Sequence, residues 1–433
     1  MSATLQASSR VRGWCPGVRR PMETGDGLLV RVHPPGGVLR ADAARLVAEA
    51  ADELGNGLLD VTARGNLQIR GVTPGTYPAL LARLDAAGLV EPDGDGPSRL
   101  TLVSPFSGID PAERLDARAL AAGVEAAASG LAGLPGKLFV AVDGGGITPL
   151  LASGADIILA AVTGPAPVAV GLAAPDGPRW IGATGLDGVP GAVREILEAF
   201  AAMRRDGRTG AGRIRDLGPD LRDELAARAP LEPTPAPPPR PACPRAGLVP
   251  MRGGAVALLA ALPFGRCDSG GLARAAAWSE AHGSGEIRPS PTRGLVLPGL
   301  TNPGGLLVEA EAAGFIVDAG DPRLAVAACP GAPSCGGGLV PASGDAARLA
   351  EAAATVLAAG LTLHVSGCAK GCAHPGAADL TLVGQENGCY GLVVGATARD
   401  PAAVRMPLDE IMILLRQATT SEGLGHAVRE LAP

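Results

Sequence analysis

The 433-residue sequence predicts a duplicated α/β (α+β) fold. A proline-dense stretch, residues 231–249, separates two parts of similar length, as a semi-extended linker would. Each part begins with the same β-α-β-β-α order and continues with strands that alternate with helices. A small unit of this kind cannot close a core alone. We therefore expect the two copies to pair in a pseudo-twofold arrangement, with a ligand groove where they meet.

The repeat follows the order of the apolar runs. The first copy has predicted strands at 27–33, 58–62 and 64–72, and the second has them at 255–262, 286–291 and 293–300. Arg64-Gly65 and Arg293-Gly294 each precede a short apolar strand, so we pair these two dipeptides. The first helix is predicted to carry Leu39 on its apolar face, to use Asp42 as its N-cap and to end at Gly55.

These patterns divide the chain into six predicted segments. They are an N-terminal segment, a half-domain, an α/β domain, the linker, a second half-domain and a second α/β domain, at residues 1–22, 23–92, 93–230, 231–249, 250–318 and 319–433. Strands of the two α/β domains are predicted at 138–142, 155–162 and 361–365, among others.

Composition excludes several classes of function. Hydrophobic residues make up 47% and charged residues 18%, which predicts a sizeable core. Aromatic residues are only 2% and the net charge is −6, so neither a stacking surface nor a basic field for nucleic acid is present. The longest apolar region, 147–175, is interrupted by Asp156 and by several Gly and Pro, and no secretory signal opens the chain. We expect a cytoplasmic protein without membrane or nucleic-acid partners.

Four of the eight cysteines form two close pairs. Cys329 and Cys335 are spaced C-x5-C, and Cys368 and Cys372 are spaced C-x3-C among glycines. Iron–sulfur clusters take thiolates from such loops, where glycines let backbone N–H groups turn toward sulfur. A structural zinc ion and plain free thiols are the alternatives. Residues 143–146 of the first copy read Asp-Gly-Gly-Gly where the second copy has cysteines, so one cluster per chain is expected.

The segment Ser366-Gly367-Cys368-x3-Cys372, followed by Asp379-Leu-Thr-Leu, resembles the sirohaem/iron–sulfur signature of the nitrite and sulfite reductase superfamily. The stretch 62–72, TARGNLQIRGV, is similar to that superfamily's ferredoxin-like half-domain. The resemblance implies two ferredoxin-like half-domains and a [4Fe–4S] cluster bound by the four cysteines. In the reductases the last cysteine also bridges to sirohaem, which corresponds to Cys372.

Residues 13–37 resemble the opening of the precorrin-3B synthases, in which the tetrapyrrole is the substrate. The resemblance implies O2-dependent hydroxylation of precorrin-3A and formation of a γ-lactone, with a [4Fe–4S] cluster, a mononuclear non-haem iron and an external electron donor. Sulfite reductases present a Lys-x-Lys pair to their anion; here Lys137, a predicted catalytic residue, is followed by Phe139 at the second position. The missing ammonium weakens the case for reduction of a small anion.

A tetrapyrrole substrate carries acetate and propionate groups, which arginines bind in bidentate fashion. The predicted tetrapyrrole-binding residues lie on or beside the half-domain strands, and those of 64–70 alternate along one face: Arg31, Arg64, Asn66, Gln68, Arg70 and Arg99. Among them, Arg31 and Arg64 match positions that bind sirohaem carboxylates or the anion in the reductases. For the mononuclear iron the sequence offers only weak candidates in His33, His374 and Asp379.

Two alternatives stay open from the sequence. One is a sirohaem-dependent nitrite or sulfite reductase, and the other is a non-catalytic electron carrier, for which the chain is unusually long. We expect a monomer.

Overall fold

The structure is a computed structural model, and it describes residues 15–94, 96–301 and 303–431. Of the predicted N-terminal segment and the 13–37 motif, residues 1–14 lie outside the described residues. None of the helices in the described ranges has the length and apolar character needed to span a bilayer.

The elements fall into four consecutive groups along the chain. The first is β1 (Met22–Thr24), β2 (Gly27–Val32), β3 (Leu39–Arg40), α1 (Ala41–Leu54), β4 (Leu58–Val61), β5 (Leu67–Val72) and α2 (Tyr77–Ala86). The second is β6 (Thr101–Val103), α3 (Ala117–Ala128), β7 (Val140–Asp143), β8 (Ile157–Ala161), β9 (Val168–Ala174), β10 (Gly177–Thr184), α4 (Val189–Arg205) and α5 (Pro219–Ala226).

The third and fourth groups repeat this plan after the linker. The third is β11 (Gly247–Pro250), β12 (Val256–Ala261), β13 (Arg266–Asp268), α6 (Ser269–His282), β14 (Glu286–Pro289), β15 (Gly294–Leu300) and α7 (Gly304–Ala312). The fourth is β16 (Val326–Ala328), α8 (Ala342–Ala352), α9 (Ala354–Ala358), β17 (Leu363–Ser366), β18 (Ala378–Gly384), β19 (Cys389–Ala396), β20 (Val404–Pro407), α10 (Leu408–Gln417) and α11 (Ser421–Glu430).

The two half-domains exchange strands. One sheet has the order β1-β2-β5-β4-β13 and the other β11-β12-β15-β14-β3, so each takes its last strand from the other copy. Arg266 of β13 lies opposite Asp60 of β4, and Leu39 of β3 lies opposite Ile287 of β14. One hydrophobic cluster contains buried residues of both copies, including Leu59 and Leu297. The predicted pairing into one core is therefore confirmed.

The two remaining sheets have identical plans, β6-β7-β8-β9-β10 and β16-β17-β18-β19-β20. In each, the first three strands run parallel to one another, and the fourth and fifth strands each run antiparallel to the strand before. Parallel strands end at the same sheet edge, so the loops after β16 and β17 share an edge, as do those after β6 and β7. The predicted duplicated α/β class is confirmed.

The structure corrects the predicted start of the first helix. Leu39 lies in β3 rather than on the helix, and the N-cap is Arg40 without a side-chain capping bond. Asp42 lies inside the first turn, where its carboxylate interacts favourably with the positive end of the helix dipole. Gly55 ends the helix as predicted.

The structure also shifts the predicted pairing of the two Arg-Gly dipeptides by one residue. The turn between β4 and β5 is closed by bonds between Thr62 and Asn66, and that between β14 and β15 by bonds between Ser290 and Gly294. Gly65, at φ 60°, therefore corresponds to Arg293, at φ 64°. Arg64 has Thr292, not Arg293, as its counterpart.

Candidate functional site

The four paired cysteines lie on two loops at the edge of the second α/β sheet. Cys329 follows β16, while Cys368 and Cys372 follow the parallel neighbour β17. The backbone N–H of Gly367 donates to Cys329 Sγ at 3.1 Å. Burial raises the pKa of the Cys329 thiol, the N–H groups of Gly367 and Gly331 lower it, and the charges of Cys335 and Cys368 raise it again.

Cys372 belongs to the same group of thiols. Burial raises its pKa, Lys370 lowers it, and the charges of Cys368, Cys329 and Cys335 raise it. The structure thus brings the four predicted cysteines within electrostatic reach of one another, and Lys370 lies where its ammonium favours a thiolate.

Close backbone packing shapes the two cysteine loops. A Cβ at Gly367 would lie 3.0 Å from Gly331 Cα, and one at Gly331 would lie 2.3 Å from the Ala342 nitrogen. The N–H of Leu339 donates to the Gly367 carbonyl at 2.8 Å and joins the loops. Larger residues at these glycines would separate the loops, so the glycines determine how near the sulfurs lie.

The cysteine set has the donor chemistry of an iron–sulfur cluster. The thiols lie on two loops joined through glycines, and a backbone N–H is directed at one sulfur. Such clusters are held by cysteine thiolates whose sulfurs accept hydrogen bonds. Within the described ranges, no three His, Cys, Asp or Glu side chains are placed to hold a single metal ion.

A cationic pocket lies on the first half-domain. Its arginines are held by neutral partners: Arg31 donates to Gln68 Oε1 at 2.6 Å, Arg64 to the Lys137 carbonyl at 3.0 Å, and Arg99 to the Arg64 carbonyl. In the described part of the chain, none of these three arginines forms an ion pair with a carboxylate. Burial lowers the pKa of Arg64 and that of Arg99, each to about 10.

Three further polar groups line the pocket, and two of them have unmet hydrogen-bonding capacity. Asn66 is 4% exposed and its Oδ1 accepts no hydrogen bond from the described residues. His33 Nδ1 is likewise unpartnered, and burial together with the three arginines lowers its pKa to about 3. The Cys15 thiol lies against Arg31 and raises the pKa of that guanidinium, which burial lowers. A neutral histidine among uncompensated cations suits an anionic ligand rather than a metal ion.

The pocket opens into a cavity of about 1180 Å³ between the first half-domain and the first α/β domain. Both spaces share Cys15, His33, Arg64 and Arg99, and the large one also reaches Arg118. The Arg118 Nη2 is buried without a partner among the described residues, and no sequence pattern indicated this residue.

Phe139 explains the departure from the Lys-x-Lys pair. Its ring lies under the Arg64 guanidinium, 3.9 Å from ring centroid to Cζ, and Arg213 lies 5.6 Å from the same ring. An ammonium at this position would repel Arg64, whereas an aromatic ring holds it. Lys137 itself is half-buried and its carbonyl accepts from Arg64, but among the described residues it lines neither cavity.

Arg70 does not join the other predicted tetrapyrrole-binding residues in the pocket. It is 3% exposed, and its guanidinium pairs with Asp26 at 2.8 Å and with Asp60 at 3.1 Å. It also donates to the Ser334 carbonyl, next to Cys335. Gly71, at φ 67°, marks a bulge in β5 beyond Gln68. The structure therefore places Arg70 against the cysteine loop.

The predicted iron ligands are dispersed. His33 lies in the cationic pocket, whereas His374 stacks edge-on against His364, with 5.7 Å between ring centroids, beside the cysteine loops. Asp379 accepts from the Thr362 hydroxyl and N–H. These three residues do not meet.

The cationic pocket and the cysteine loops are linked by the two equivalent turns. A Cβ at Gly65 would lie 2.5 Å from the Pro289 carbonyl oxygen, so the β4–β5 turn touches the β14–β15 turn. Arg64 leaves the first turn toward the pocket, and Arg293 leaves the second toward the cysteine loops, donating to the Ala373 carbonyl at 2.9 Å.

The fold and these paired turns define a nitrite/sulfite reductase-type protein. The family described as Nitrite/Sulfite reductase ferredoxin-like half domain matches residues 20–87. The structure of the Mycobacterium tuberculosis NirA protein superposes with a TM-score of 0.73 at 23% identity, covering 93% of this chain and 83% of that one. That likeness establishes the fold.

A closer relative places the chain within that class. The precorrin-3B synthase of Sinorhizobium sp is 37% identical over 404 residues, which is 90% of this chain and 84% of the relative. The ferredoxin–nitrite reductase of Leptolyngbya laminosa is 36% identical over only 104 residues, 23% of this chain and 20% of that protein. The chain belongs to the precorrin-3B synthase family of the nitrite/sulfite reductase superfamily. It is homologous to oxidoreductases of that superfamily.

Proposed function

We propose that this chain is a precorrin-3B synthase, which hydroxylates precorrin-3A with O2 and closes a γ-lactone in aerobic cobalamin biosynthesis. One oxygen atom of O2 enters the product and the other leaves as water, with two electrons from an external donor. The chain acts as a cytoplasmic monomer, and residues 319–433 form the α/β domain that holds the cluster. The family relationship over 404 residues supports this reaction class.

The observation that carries the proposal is the trio of arginines without carboxylate partners among the described residues. Arg64 and Arg99 line a cavity of about 1180 Å³, and Arg31 lines the small pocket that shares residues with it. A macrocycle with acetate and propionate groups brings the missing negative charges, and each charge-assisted hydrogen bond is worth about 1.5–3 kcal/mol. Asn66 and the neutral His33 supply polar contacts that do not add charge.

Cys329, Cys335, Cys368 and Cys372 would hold a [4Fe–4S] cluster, which supplies single electrons when bound. The mononuclear iron implied by the family is a different case. The described residues do not gather three ligands around one point, so no ligands are assigned to it and no step is derived through it.

The reaction is tested with anaerobically purified protein, precorrin-3A, a reductant and labelled O2. We expect one labelled oxygen in the tetrapyrrole product and a broad iron–sulfur absorption without a Soret band. A sirohaem spectrum together with nitrite or sulfite turnover would overturn the proposal in favour of the reductase alternative.

Binding is tested separately with Arg64→Ala. Losing one charge-assisted contact of about 1.5–3 kcal/mol should raise KM for the tetrapyrrole by about 10–100-fold. Arg45→Ala is the matched control, because Arg45 pairs with Glu280 on the surface. Equal KM values for the Arg64 variant and the control would remove Arg64 from the substrate site.

A further inference from the structure

A buried arginine and a half-buried arginine from the half-domains reach the two cysteine loops. Arg70 of β5 donates to the carbonyl of Ser334, the residue before Cys335. Arg293, in the turn before β15, donates to the carbonyl of Ala373, the residue after Cys372, at 2.9 Å. One residue of each cysteine pair thus has an arginine bonded to the adjoining backbone.

The two arginines differ in charge balance. Arg70 pairs with the carboxylates of both Asp26 and Asp60, so its cation is neutralised in place. Arg293 forms no ion pair among the described residues, since Asp60 influences it only at longer range and already pairs with Arg70 and Arg266. Burial lowers the pKa of Arg293, and the charges of Asp60 and Cys329 raise it. The bond of Arg293 to the Ala373 carbonyl places its guanidinium one residue from Cys372.

The backbone of Arg293 points to a role for its side chain. Its φ of 64° lies in the left-handed region, where the equivalent residue of the first copy is Gly65 at 60°. A glycine would adopt this turn with less strain than an arginine. A charged residue held there, half-buried and bonded to the cysteine loop, suggests function rather than turn formation.

We propose that Arg293 is a positioning residue for the iron–sulfur cluster that also stabilises its reduced form. The inference rests on the proposed function, because it requires a cluster on the four cysteines. Reduction adds one electron, hence one negative charge, to a group already surrounded by four thiolates. A guanidinium beside the cysteine loop and without a paired carboxylate stabilises that added charge and raises the reduction potential, while its bond to the Ala373 carbonyl fixes the loop that carries Cys372.

The proposal is tested by redox titration of the as-isolated protein with dithionite as reductant. The visible absorbance and the electron paramagnetic resonance signal of the cluster measure how much of it is reduced. Arg293→Gln should lower the reduced-to-oxidised ratio at a fixed potential about tenfold, a shift of about 59 mV for one electron. Arg293→Lys, which keeps the charge, should stay closer to the native protein. Arg348→Gln is the control, since Arg348 pairs with Asp409 on the surface of the same domain.

Each outcome is informative. An unchanged potential in Arg293→Gln with full iron content would overturn the proposal, and so would an equal shift in the Lys and Gln variants. Loss of iron from Arg293→Gln, with iron retained in Arg348→Gln, would support the positioning role, and the potential would then be read from Arg293→Lys. Absence of a cluster from the native protein would instead contradict the proposed function.

Discussion

The first and second α/β sheets share one plan but differ at the edge where chemistry is expected. The second strand of each sheet is β7 (Val140–Asp143) in the first copy and β17 (Leu363–Ser366) in the second. After β7 the chain continues with three glycines, and after β17 with Gly367 and Cys368. The fold is therefore duplicated while the cysteines occur in one copy.

The loops of the first copy are held by their own carboxylates. Asp143 is 2% exposed, pairs with Arg240 and accepts from the N–H groups of Gly145 and Leu150. Glu113 accepts from the Ser107 hydroxyl at 2.6 Å. These bonds are internal to the protein, so this edge needs no ligand to be satisfied.

The loops of the second copy contain no such groups. Residues 329–338 and 367–376 include no Asp or Glu. Their backbone carbonyls accept hydrogen bonds from Arg70 and Arg293 of the half-domains and from Ser343 and Ser366 of their own domain. The difference teaches that carboxylates hold the first edge from within, whereas the second edge also takes hydrogen bonds from the half-domains.

The largest expected effect is on the second edge. Cys368→Ser removes one thiolate, and iron and sulfide should fall to background with loss of the iron–sulfur absorbance, because the cluster is bound only through its ligands. Cys389→Ser is the control, as Cys389 begins β19 outside the paired loops. Native iron and sulfide content in the Cys368 variant would end the assignment.

The next effect concerns the first edge. Asp143→Ala leaves Arg240 and two N–H groups without their acceptor, and removal of one partner from a buried pair typically costs about 3–5 kcal/mol of stability. Urea denaturation should show this loss while iron content stays native. Asp223→Ala, on an exposed pair with Arg179, should cost at most about 1 kcal/mol. If the Asp143 variant lost its iron instead, the two edges would not be independent.

The sequence was sufficient to predict the duplication and the placement of the Asp-Gly-Gly-Gly stretch opposite the cysteine loop. Each of these depends on local spacing or strand alternation. The exchange of β3 and β13 between the half-domain sheets was not predicted, because a strand of two or three residues has no recognisable period.

The site was less predictable than the fold. The position of Arg293 was missed by one residue, because a non-glycine residue occupies the left-handed turn position that Gly65 marks in the first copy. Arg70 shares a strand face with Asn66, but a bulge and the partners Asp26 and Asp60 take it to another contact. Such choices are made by tertiary neighbours, which a single strand pattern does not contain.

The smallest effect tests a histidine that only the second sheet has. His364 aligns with Ala141, is fully buried, and has both ring nitrogens unpartnered among the described residues. Burial, then His374 and Arg293, lower its pKa to about 4. The folded state keeps it neutral, while the unfolded chain binds a proton near pH 6.5, so stability is full above that pH and is lost as pH falls toward 4.

Between pH 7.5 and pH 5 this difference amounts to about 2 kcal/mol. Urea midpoints of native protein and His364→Leu, measured across that range, should show a shallower pH dependence in the variant. The slope is the readout, so a constant loss from altered packing does not affect it. His426→Gln, on an exposed histidine beside Glu430, should keep the native slope. Parallel slopes for native protein and His364→Leu would show that His364 is not held neutral in the folded state.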